Sequence, residues 1–274
     1  APRSDWIAQL IKPLKAGPDI AGCKGVYATR QKEVVARFVQ VEYEDKYDRL
    51  RRPARIDFID TYSAAYRRQV LLDNGGFDER IFFVEDQELS FRLASRGYHM
   101  VFQPAAVVYH HHSDSLTGYF RKKFMIGYWK AQIIRRFPGR AIKDSHTPQV
   151  LKVQILLVAL ALWAAAVAVV LPVFSLFLAG ILLIYFLTTI PFLRKAWPKD
   201  RVVTVVAPFL LGIRAVALGA GYAWGMMRPQ PGVGSEATAS EGDAGSSRSL
   251  WRDIAIVASA IVAVVRGTGD SSEQ

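Results

Sequence analysis

An α/β domain followed by an α-helical transmembrane region is the fold class that the sequence predicts. Residues 1–149 mix charged and aromatic residues, and helical, extended and turn patterns alternate along them, as in layered α/β folds. The segment 150–227 holds long apolar runs with few charges, as membrane-spanning helices do. We therefore assign the domain to residues 1–148, membrane helices to 149–228, and a disordered tail with one short apolar segment to 229–274.

Charge and cysteine content exclude several classes of protein. The formal net charge is +11, but the basic residues concentrate beside the apolar runs, which fits anionic lipid headgroups better than a nucleic-acid groove. We therefore expect the membrane as a partner and no nucleic acid. Cys23 is the only cysteine, which excludes a disulfide framework and a thiolate zinc site and favours a reducing, cytoplasmic setting for the domain.

Three helices are predicted in the first part of the domain. Apolar residues at helical spacing predict one close to the N-terminus and a long one over 33–50. A third should run from about Asp86 to Arg96, with Glu88 and Arg92 paired one turn apart, and should stop at Gly97.

Extended segments are predicted between these helices. DIAGCKGVYATR at 19–30 is one, and IDFIDTYS at 56–63 is a second. YHMVFQPAAVVYHHH at 98–112 should form two strand segments that are broken at Pro104, because proline cannot donate a hydrogen bond to a ladder.

Three apolar runs are long enough to span a membrane. They cover about 150–171, 173–193 and 202–227, and Pro172 joins the first two into a tight hairpin. Arg194 and Lys195 follow the second run, so both ends of the hairpin are expected in the cytoplasm. Arg214 lies near the middle of the third run, where a charge costs about 2.5–3.5 kcal/mol. This helix is therefore expected to pack against partners or to lie partly in the interface.

A basic and aromatic segment precedes the apolar runs. Residues 116–140 interleave aromatic residues with lysines and arginines, which is typical of a helix at a membrane surface. The composition alone fits a solvated basic helix face equally well. In the third apolar run, Gly221 and Gly225 form one GxxxG pattern, at which helices can pack closely.

Two groups of side chains could carry chemistry. Glu85, Asp86 and Glu88 stand at the start of a predicted helix, where a carboxylate could act as a general base or could simply charge and cap the helix. His110 and His112 would share one face of a strand. They could bind a divalent cation, Mn²⁺ or Mg²⁺ rather than zinc, or they could be structural, and two histidines alone do not complete a metal site.

The order of the motifs shifts the balance between these alternatives. NGGFDE at 74–79 is followed by FFVEDQELSFRL at 82–93, VVYHHHSDS at 107–115, the basic aromatic segment and the membrane hairpin. In this combination the chain resembles the family 2 glycosyltransferases, inverting enzymes of the Rossmann-like GT-A fold. It is similar in particular to bacterial members with C-terminal membrane helices. The resemblance covers Ala1 to about Phe137, which would form the C-terminal, acceptor-side part of such a domain.

The resemblance implies a set of site residues. Asp86 falls on the general base of the family, with Glu85 beside it, and His110 falls on a histidine metal ligand, with His112 as second choice. The implied acceptor-side residues are Gly75, Gly76, Phe77, Asp78, Gln132 and Arg135, and the implied diphosphate-binding residues are Lys122 and Lys123. The QxxRW motif of processive synthases is matched only in part, because Arg136 replaces its tryptophan, so processivity stays open.

The implied activity is transfer of a sugar from a nucleotide-diphosphate sugar to a hydroxyl of a lipid-linked or polysaccharide acceptor. A divalent cation would be the cofactor, and the protein would be a multi-pass protein of the inner (cytoplasmic) membrane with its domain facing the cytoplasm. Family members carry a nucleotide-binding half and an Asp-x-Asp motif before the segment that resembles APRSDW, so we expect this chain alone to be inactive. The alternative is a non-catalytic membrane anchor or partner-binding subunit derived from such an enzyme.

Overall fold

An α/β region forms the first part of the structure, a computed structural model that describes residues 1–141 and 147–233. Its elements in chain order are α1 (Trp6–Ala16), β1 (Ile20–Ala28), α2 (Val34–Leu50), β2 (Ala64–Tyr66), α3 (Arg68–Asp73), α4 (Glu85–Ser95), β3 (His99–Tyr109) and α5 (Leu116–Arg136). The predicted fold class is confirmed. Of the tail predicted over 229–274, residues 234–274 lie outside the described residues.

Three long apolar helices follow the α/β region. They are α6 (Gln149–Ala168), α7 (Phe174–Ala196) and α8 (Arg201–Met227), and each is long and apolar enough to cross a membrane. Their bounds agree with the predicted runs to within a few residues. The turn between α6 and α7 contains Pro172, as expected.

The described strands form one mixed sheet in the order β2, β1, β3. The central strand β1 pairs antiparallel with β2 and parallel with β3. A parallel pair needs a crossover connection, and here the chain between β1 and β3 supplies α2, α3 and α4. Every residue of β1 from Ala21 to Tyr27 is buried. Any polar side chain on this strand is therefore held inside the protein.

The main core of the α/β region lies between the sheet and the helices α2 and α4. It is built from buried side chains of these elements and of the irregular segment before β2: Val26, Tyr47, Leu50, Ile56, Ile59, Leu89, Leu93 and Met100. α4 ends as predicted, because Gly97 adopts a positive φ of 83° and Tyr98 N–H then donates to the Leu93 carbonyl. This core fixes the start of α4 against the end of β1.

The predicted strand over 56–63 is wrong. Only Ile56 reaches a strand, through an isolated bridge to Met100, and Thr61–Ser63 forms a 3₁₀ turn before β2. The side-chain hydroxyl of Ser90 in α4 accepts a hydrogen bond from the backbone N–H of Ile59 at 3.0 Å. This backbone N–H is therefore paired with a helix side chain and not with a neighbouring strand. Its apolar residues are buried, as the sequence suggests, but in an irregular segment.

The predicted break at Pro104 does not divide β3 into two strands. β3 is assigned continuously over His99–Tyr109, but its register against β1 jumps from Lys24 opposite Phe102 to Val26 opposite Val107. The proline therefore lies in a bulge that interrupts the ladder without ending the strand.

α5 packs along α8 through glycines. A Cβ atom at Gly221 would lie 2.0 Å from the Phe124 carbonyl oxygen, and one at Gly225 would lie 2.4 Å from the Tyr128 carbonyl oxygen. On the other side, a Cβ at Gly127 would lie 2.3 Å from the Leu218 oxygen. The GxxxG pattern is therefore a true packing surface, and its partner is α5 rather than another apolar helix.

Substituting Gly221 with alanine should lower the melting temperature of the detergent-solubilised protein. The added methyl group cannot fit beside the Phe124 carbonyl unless the two backbones separate, and such overpacking typically costs about 1–3 kcal/mol. The matched control is Gly180→Ala in α7, where a Cβ would meet no atom within 4 Å. The control should leave the melting temperature unchanged or slightly raised; equal effects of the two substitutions would contradict the packing described.

Two basic residues of α5 point into the protein. Lys123 forms an ion pair with Glu42 of α2 at 3.1 Å, and Arg136 forms ion pairs with Asp78 at 3.0 Å and Glu88 at 3.1 Å. Neither a basic face turned to headgroups nor a solvated basic face describes these residues. α5 instead joins the α/β region to α8.

Candidate active site

Asp86 lies in the first turn of α4 and is partly buried. Burial, together with the negative charges of Asp60 and Glu85, raises the pKa of its carboxyl group to about 7, although the charge of Lys46 and a hydrogen bond from the backbone N–H of Gln87 act in the opposite direction. A carboxyl group with this pKa is divided between its two protonation states near neutral pH, which suits a group that accepts a proton.

The other acids of α4 do not share this position. Val84 is the N-cap residue, and within the described residues no side chain caps this helix, so the acids do not serve as its cap. Glu88 is fully buried and pairs with Arg92 at 2.9 Å, which confirms the predicted pair one turn apart. Glu88 is therefore structural.

Asp60 is the centre of a buried ion cluster beside Asp86. Its carboxylate accepts hydrogen bonds from the ammonium group of Lys24 and from the hydroxyl of Tyr27 on β1. Lys46 of α2 binds the other oxygen at 2.8 Å. Burial opposes ionisation of Asp60, but the charges of the two lysines hold its pKa well below the ordinary range. Asp60 is therefore a fixed negative charge.

This cluster has one carboxylate for two lysines. Burial lowers the pKa of Lys46 to about 7, and the charge of Asp60 counteracts that effect. Asp86 is the next acid whose charge acts on both lysines. The protonation states of Asp86 and Lys46 are therefore linked through a site that is held rigid by β1 and α2.

Tyrosine rings lie between the ion cluster around Asp60 and the two histidines. The His110 ring lies 4.2 Å from the ring of Tyr62 and 5.4 Å from that of Tyr27, and the His112 ring stacks on Tyr43. The two imidazole centroids are 5.2 Å apart, so His110 and His112 are neighbours, as alternation along a strand predicts. Burial lowers the pKa of both, for His112 to about 4, which leaves both rings neutral at pH 7.

The histidines fit a metal site only in part. His112 Nε2 lies 3.0 Å from the side-chain oxygen of Gln40, whereas the buried Nε2 atom of His110 has no hydrogen-bond partner among the described residues. No group of three or more His, Cys, Asp or Glu side chains in residues 1–141 and 147–233 could together hold an ion. His110 thus offers one ligand atom, and the described residues do not form a complete site.

The loop before α4 is shaped by two glycines. Gly75 and Gly76 adopt φ values of 76° and 64°, which side-chain-bearing residues rarely adopt. Arg92 of α4 donates to the Gly76 carbonyl at 2.7 Å and so holds the loop against the helix. Phe77 is 40% exposed, and the pKa of Asp78 is lowered to about 2 by its hydrogen bond with Arg80.

The two neighbouring lysines of α5 point in different directions. Lys122 lies 5.9 Å from the Tyr62 ring centroid and interacts electrostatically with Asp60 and Asp86. Lys123 is paired with Glu42, which also binds Arg214 of α8 at 2.9 Å. Of the two predicted diphosphate ligands, only Lys122 lies on the side of Asp60 and Asp86.

Gln132 and Arg135 join α5 to the end of α8. The Gln132 amide donates to the Gly225 carbonyl at 2.8 Å, and its oxygen accepts from the backbone N–H of Gln230 at 3.1 Å. Arg135 donates to the Met226 carbonyl. In this structure both side chains hold helices together, and their predicted acceptor contacts stay a prediction.

Comparison with known proteins identifies the first part of the chain. Residues 1–126 match the family described as "Glycosyltransferase like family 2". The match is to a family 2 glycosyltransferase domain and covers a little less than half of the chain. Two curated relatives are similar to the chain over 85 residues at 28% identity: the pre-mycofactocin glycosyltransferases of Mycobacterium tuberculosis strains CDC 1551 / Oshkosh and ATCC 25618 / H37Rv. The similar segment covers 31% of this chain and 18% of each relative, so the chain spans less than a fifth of their length.

Sequence reasoning missed the buried ion cluster around Asp60. Lys24, Lys46 and Asp60 were not among the predicted site residues. A signal was available for two of them, because Lys24 lies inside the apolar strand AGCKGVYA and Lys46 lies one turn from Leu50 on the buried stripe of α2. A charged residue at a core position must be paired, so such positions point to a buried charge cluster.

Proposed function

We propose that the protein is an inverting glycosyltransferase in which Asp86 is the general base. The observation that carries this proposal is the carboxyl group of Asp86, whose pKa of about 7 is set by burial and by the charge of Asp60 inside a family 2 glycosyltransferase domain. The substrate classes are a nucleotide-diphosphate sugar as donor and a hydroxyl-bearing, membrane-linked acceptor.

The proposed step is an in-line displacement at the anomeric carbon. The acceptor hydroxyl gives its proton to the Asp86 carboxylate while its oxygen bonds to the anomeric carbon. The bond from that carbon to the diphosphate oxygen breaks, and the nucleoside diphosphate leaves with the electron pair. Attack from the face opposite the leaving group inverts the configuration.

Other residues support this step in distinct ways. Glu85 acts on Asp86 through its charge, which raises the pKa of the base. Lys122 would offset negative charge on the departing diphosphate. Gly75, Gly76, Phe77 and Asp78 shape the acceptor side of the cleft. A divalent cation, Mn²⁺ or Mg²⁺, stays a prediction with His110 as one ligand, and no step above passes through it.

A cavity between the domain and the apolar helices favours a lipid-linked acceptor over a polysaccharide. It has a volume of about 450 Å³ and lies between α2, α5, α6 and α8. Its apolar wall includes Ile126, Ile134, Leu151, Ile155 and Leu218. Its charged lining is mostly basic, with Lys46, Arg49, Lys123, Lys130 and Lys152 against the acids Glu42 and Asp45. Lys46 and Gln87 also belong to the surroundings of Asp86. Apolar walls that end in cations suit a hydrocarbon chain with an anionic headgroup.

Filling this cavity should impair transfer to a long-chain acceptor. Ala223 of α8 lines the cavity, so Ala223→Trp should raise KM for a long-chain lipid acceptor and leave a short-chain analogue unaffected. The matched control is Ala220→Trp, because Ala220 is exposed on the same helix and does not line the cavity. Equal losses with both acceptors would argue against an acceptor site in the cavity.

The rate of transfer should depend on pH in the direction set by Asp86. Because only the carboxylate accepts a proton, kcat/KM of the full-length protein should rise with pH and level off above about 7. Glu85→Gln should move this inflection to lower pH, since the Glu85 charge raises the pKa of Asp86. A radiolabelled-donor assay between about pH 6 and 8 measures both curves. A flat profile would contradict the base assignment. If the protein showed no donor binding and no transfer, the result would favour a non-catalytic anchor.

A further inference from the structure

Both ends of α8 are tied to the glycosyltransferase domain. At its start, the N-cap residue Asp200 forms an ion pair with Arg37 of α2 at 2.7 Å. Beyond its end, the Arg80 guanidinium from the loop before α4 donates to the Gly232 carbonyl at 2.8 Å. The helix between these ties has 27 residues and so a length of about 40 Å, enough to cross a bilayer. A helix that crossed would place its two ends on opposite faces of the membrane.

The middle of α8 is also bound to the domain. Arg214 is buried and pairs with Glu42 of α2 at 2.9 Å, and it donates to the Gln154 side-chain oxygen of α6 at 2.9 Å. Glu42 in turn holds Lys123 of α5. Because α2 and α5 carry many charges, they cannot lie in the hydrocarbon core, and the midpoint of α8 is therefore not at the bilayer centre.

The outer face of α8 has the composition of a helix that lies on a lipid surface. Apart from Arg201 at its first position, its exposed side chains are apolar and include Val202, Val205, Phe209, Met226 and Met227. Near each end an arginine lies over a tryptophan, Arg201 over Trp197 at 5.2 Å and Arg228 over Trp224 at 4.8 Å. Tryptophan and arginine are enriched at the membrane interface.

The three apolar helices differ in how far the protein covers them. The protein buries 44% of the most apolar stretch of α8, but only 17% of that of α6 and 11% of that of α7. The hairpin of α6 and α7 thus leaves most of its apolar surface open to lipid. In α8, by contrast, nearly half of the most apolar stretch is buried against the protein and the rest is uncovered.

We propose that α8 does not cross the membrane but lies along the glycosyltransferase domain at the lipid surface, with both ends on the side of the domain. Among the described helices, the hairpin of α6 and α7 alone then enters the hydrocarbon core. The buried stripe of α8 binds α2 and α5, and its apolar outer face contacts the bilayer, as in helices that lie in the interface. The sequence-based expectation of three spans becomes two, and α8 holds the cleft at the membrane surface.

Single-cysteine labelling of the full chain in sealed membrane vesicles tests this topology. The native Cys23 is buried, so a Cys23→Ala background carries each new cysteine. Exposed positions are Arg52 in the domain, Pro198 before α8 and Pro231 after it. A membrane-impermeant maleimide should label Arg52→Cys, Pro198→Cys and Pro231→Cys from the same side. Labelling of Pro231→Cys only from the side opposite to Pro198→Cys would overturn the proposal.

A second measurement covers the case in which lipid shields a cysteine. In the same background, Arg80→Cys with Gly232→Cys should be joined within one chain by a short bifunctional maleimide, because these residues are in contact. The control pair is Arg52→Cys with Gly232→Cys, which should stay unlinked. Absence of the first cross-link in intact membranes would also overturn the proposal. Neither measurement requires glycosyl transfer, so failure here is independent of the proposed activity.

Discussion

Asp86→Asn is expected to abolish sugar transfer while leaving donor binding unchanged. Asparagine has nearly the same shape as aspartate but cannot accept the proton of the acceptor hydroxyl. General-base catalysis typically contributes about 10²–10⁴-fold, so kcat of the full-length protein should fall by that factor. Donor affinity should stay the same, because the proposed contacts of Asp86 are with the acceptor. Single-turnover transfer and calorimetric donor binding measure the two quantities separately.

The same variant should be more stable than the wild type above about pH 7. The pKa of Asp86 is about 7 in the folded protein against an ordinary 3.8. Between pH 3.8 and about pH 7 the folded state therefore holds a proton that the unfolded state has lost. Because of this difference, the free energy of unfolding falls as pH rises through that window. Asparagine has no such charge. A denaturation curve at pH 8 should show a gain for Asp86→Asn and no change for the exposed control Asp73→Asn. Near-normal turnover, or a loss of stability in Asp86→Asn, would contradict the assignment.

Local features of the site could be predicted from the sequence because their causes are local. The Gly97 stop, the Glu88 to Arg92 pair and the turn at Gly75 each depend on residues within a few positions of one another. Helix and turn chemistry fix such features before any tertiary contact forms. The position of Asp86 in the first turn of α4 belongs to the same class, since the predicted start of this helix agrees with the structure to within one residue.

The perturbed pKa of Asp86 could not be predicted in this way. A helix N-terminus alone stabilises a carboxylate and would lower its pKa, whereas the structure raises it. The difference comes from burial and from Asp60, a residue that lies in an irregular segment where the sequence predicts a strand. Contacts between segments far apart in the chain thus decide the electrostatics of the site.

The same limit applies to the apolar helices. Hydropathy finds α8 as readily as α6 and α7, because it counts apolar residues and does not see what they contact. Arg214 was the signal that α8 differs, and the structure supplies its partner, Glu42. The identity of that partner matters, since it belongs to the α/β region and not to another apolar helix.

The buried ion cluster should be more sensitive to substitution than any other part of the domain. In Asp60→Asn the ammonium groups of Lys24 and Lys46 stay inside the protein without their carboxylate. Removing one partner of a buried ion pair typically costs about 3–5 kcal/mol, because an uncompensated charge remains. That loss is a large fraction of the total stability of an ordinary domain, so much of the protein should fail to fold or should melt at a far lower temperature.

The matched control is Asp57→Asn, three residues earlier in the same segment. Asp57 pairs with Arg140 in a partly exposed position, and such pairs contribute at most about 1 kcal/mol. Urea denaturation of both variants in the same detergent compares the two losses directly.

Adding Lys46→Met to Asp60→Asn should recover part of the stability, because it removes one of the two orphaned charges. In material that does fold, the pKa of Asp86 should fall, since the charge of Asp60 raises it. A loss for Asp60→Asn no greater than that for Asp57→Asn would mean that the cluster does not hold its charges away from water. The proposed tuning of the base would then lose one of its physical causes, the charge of Asp60, and would rest mainly on burial.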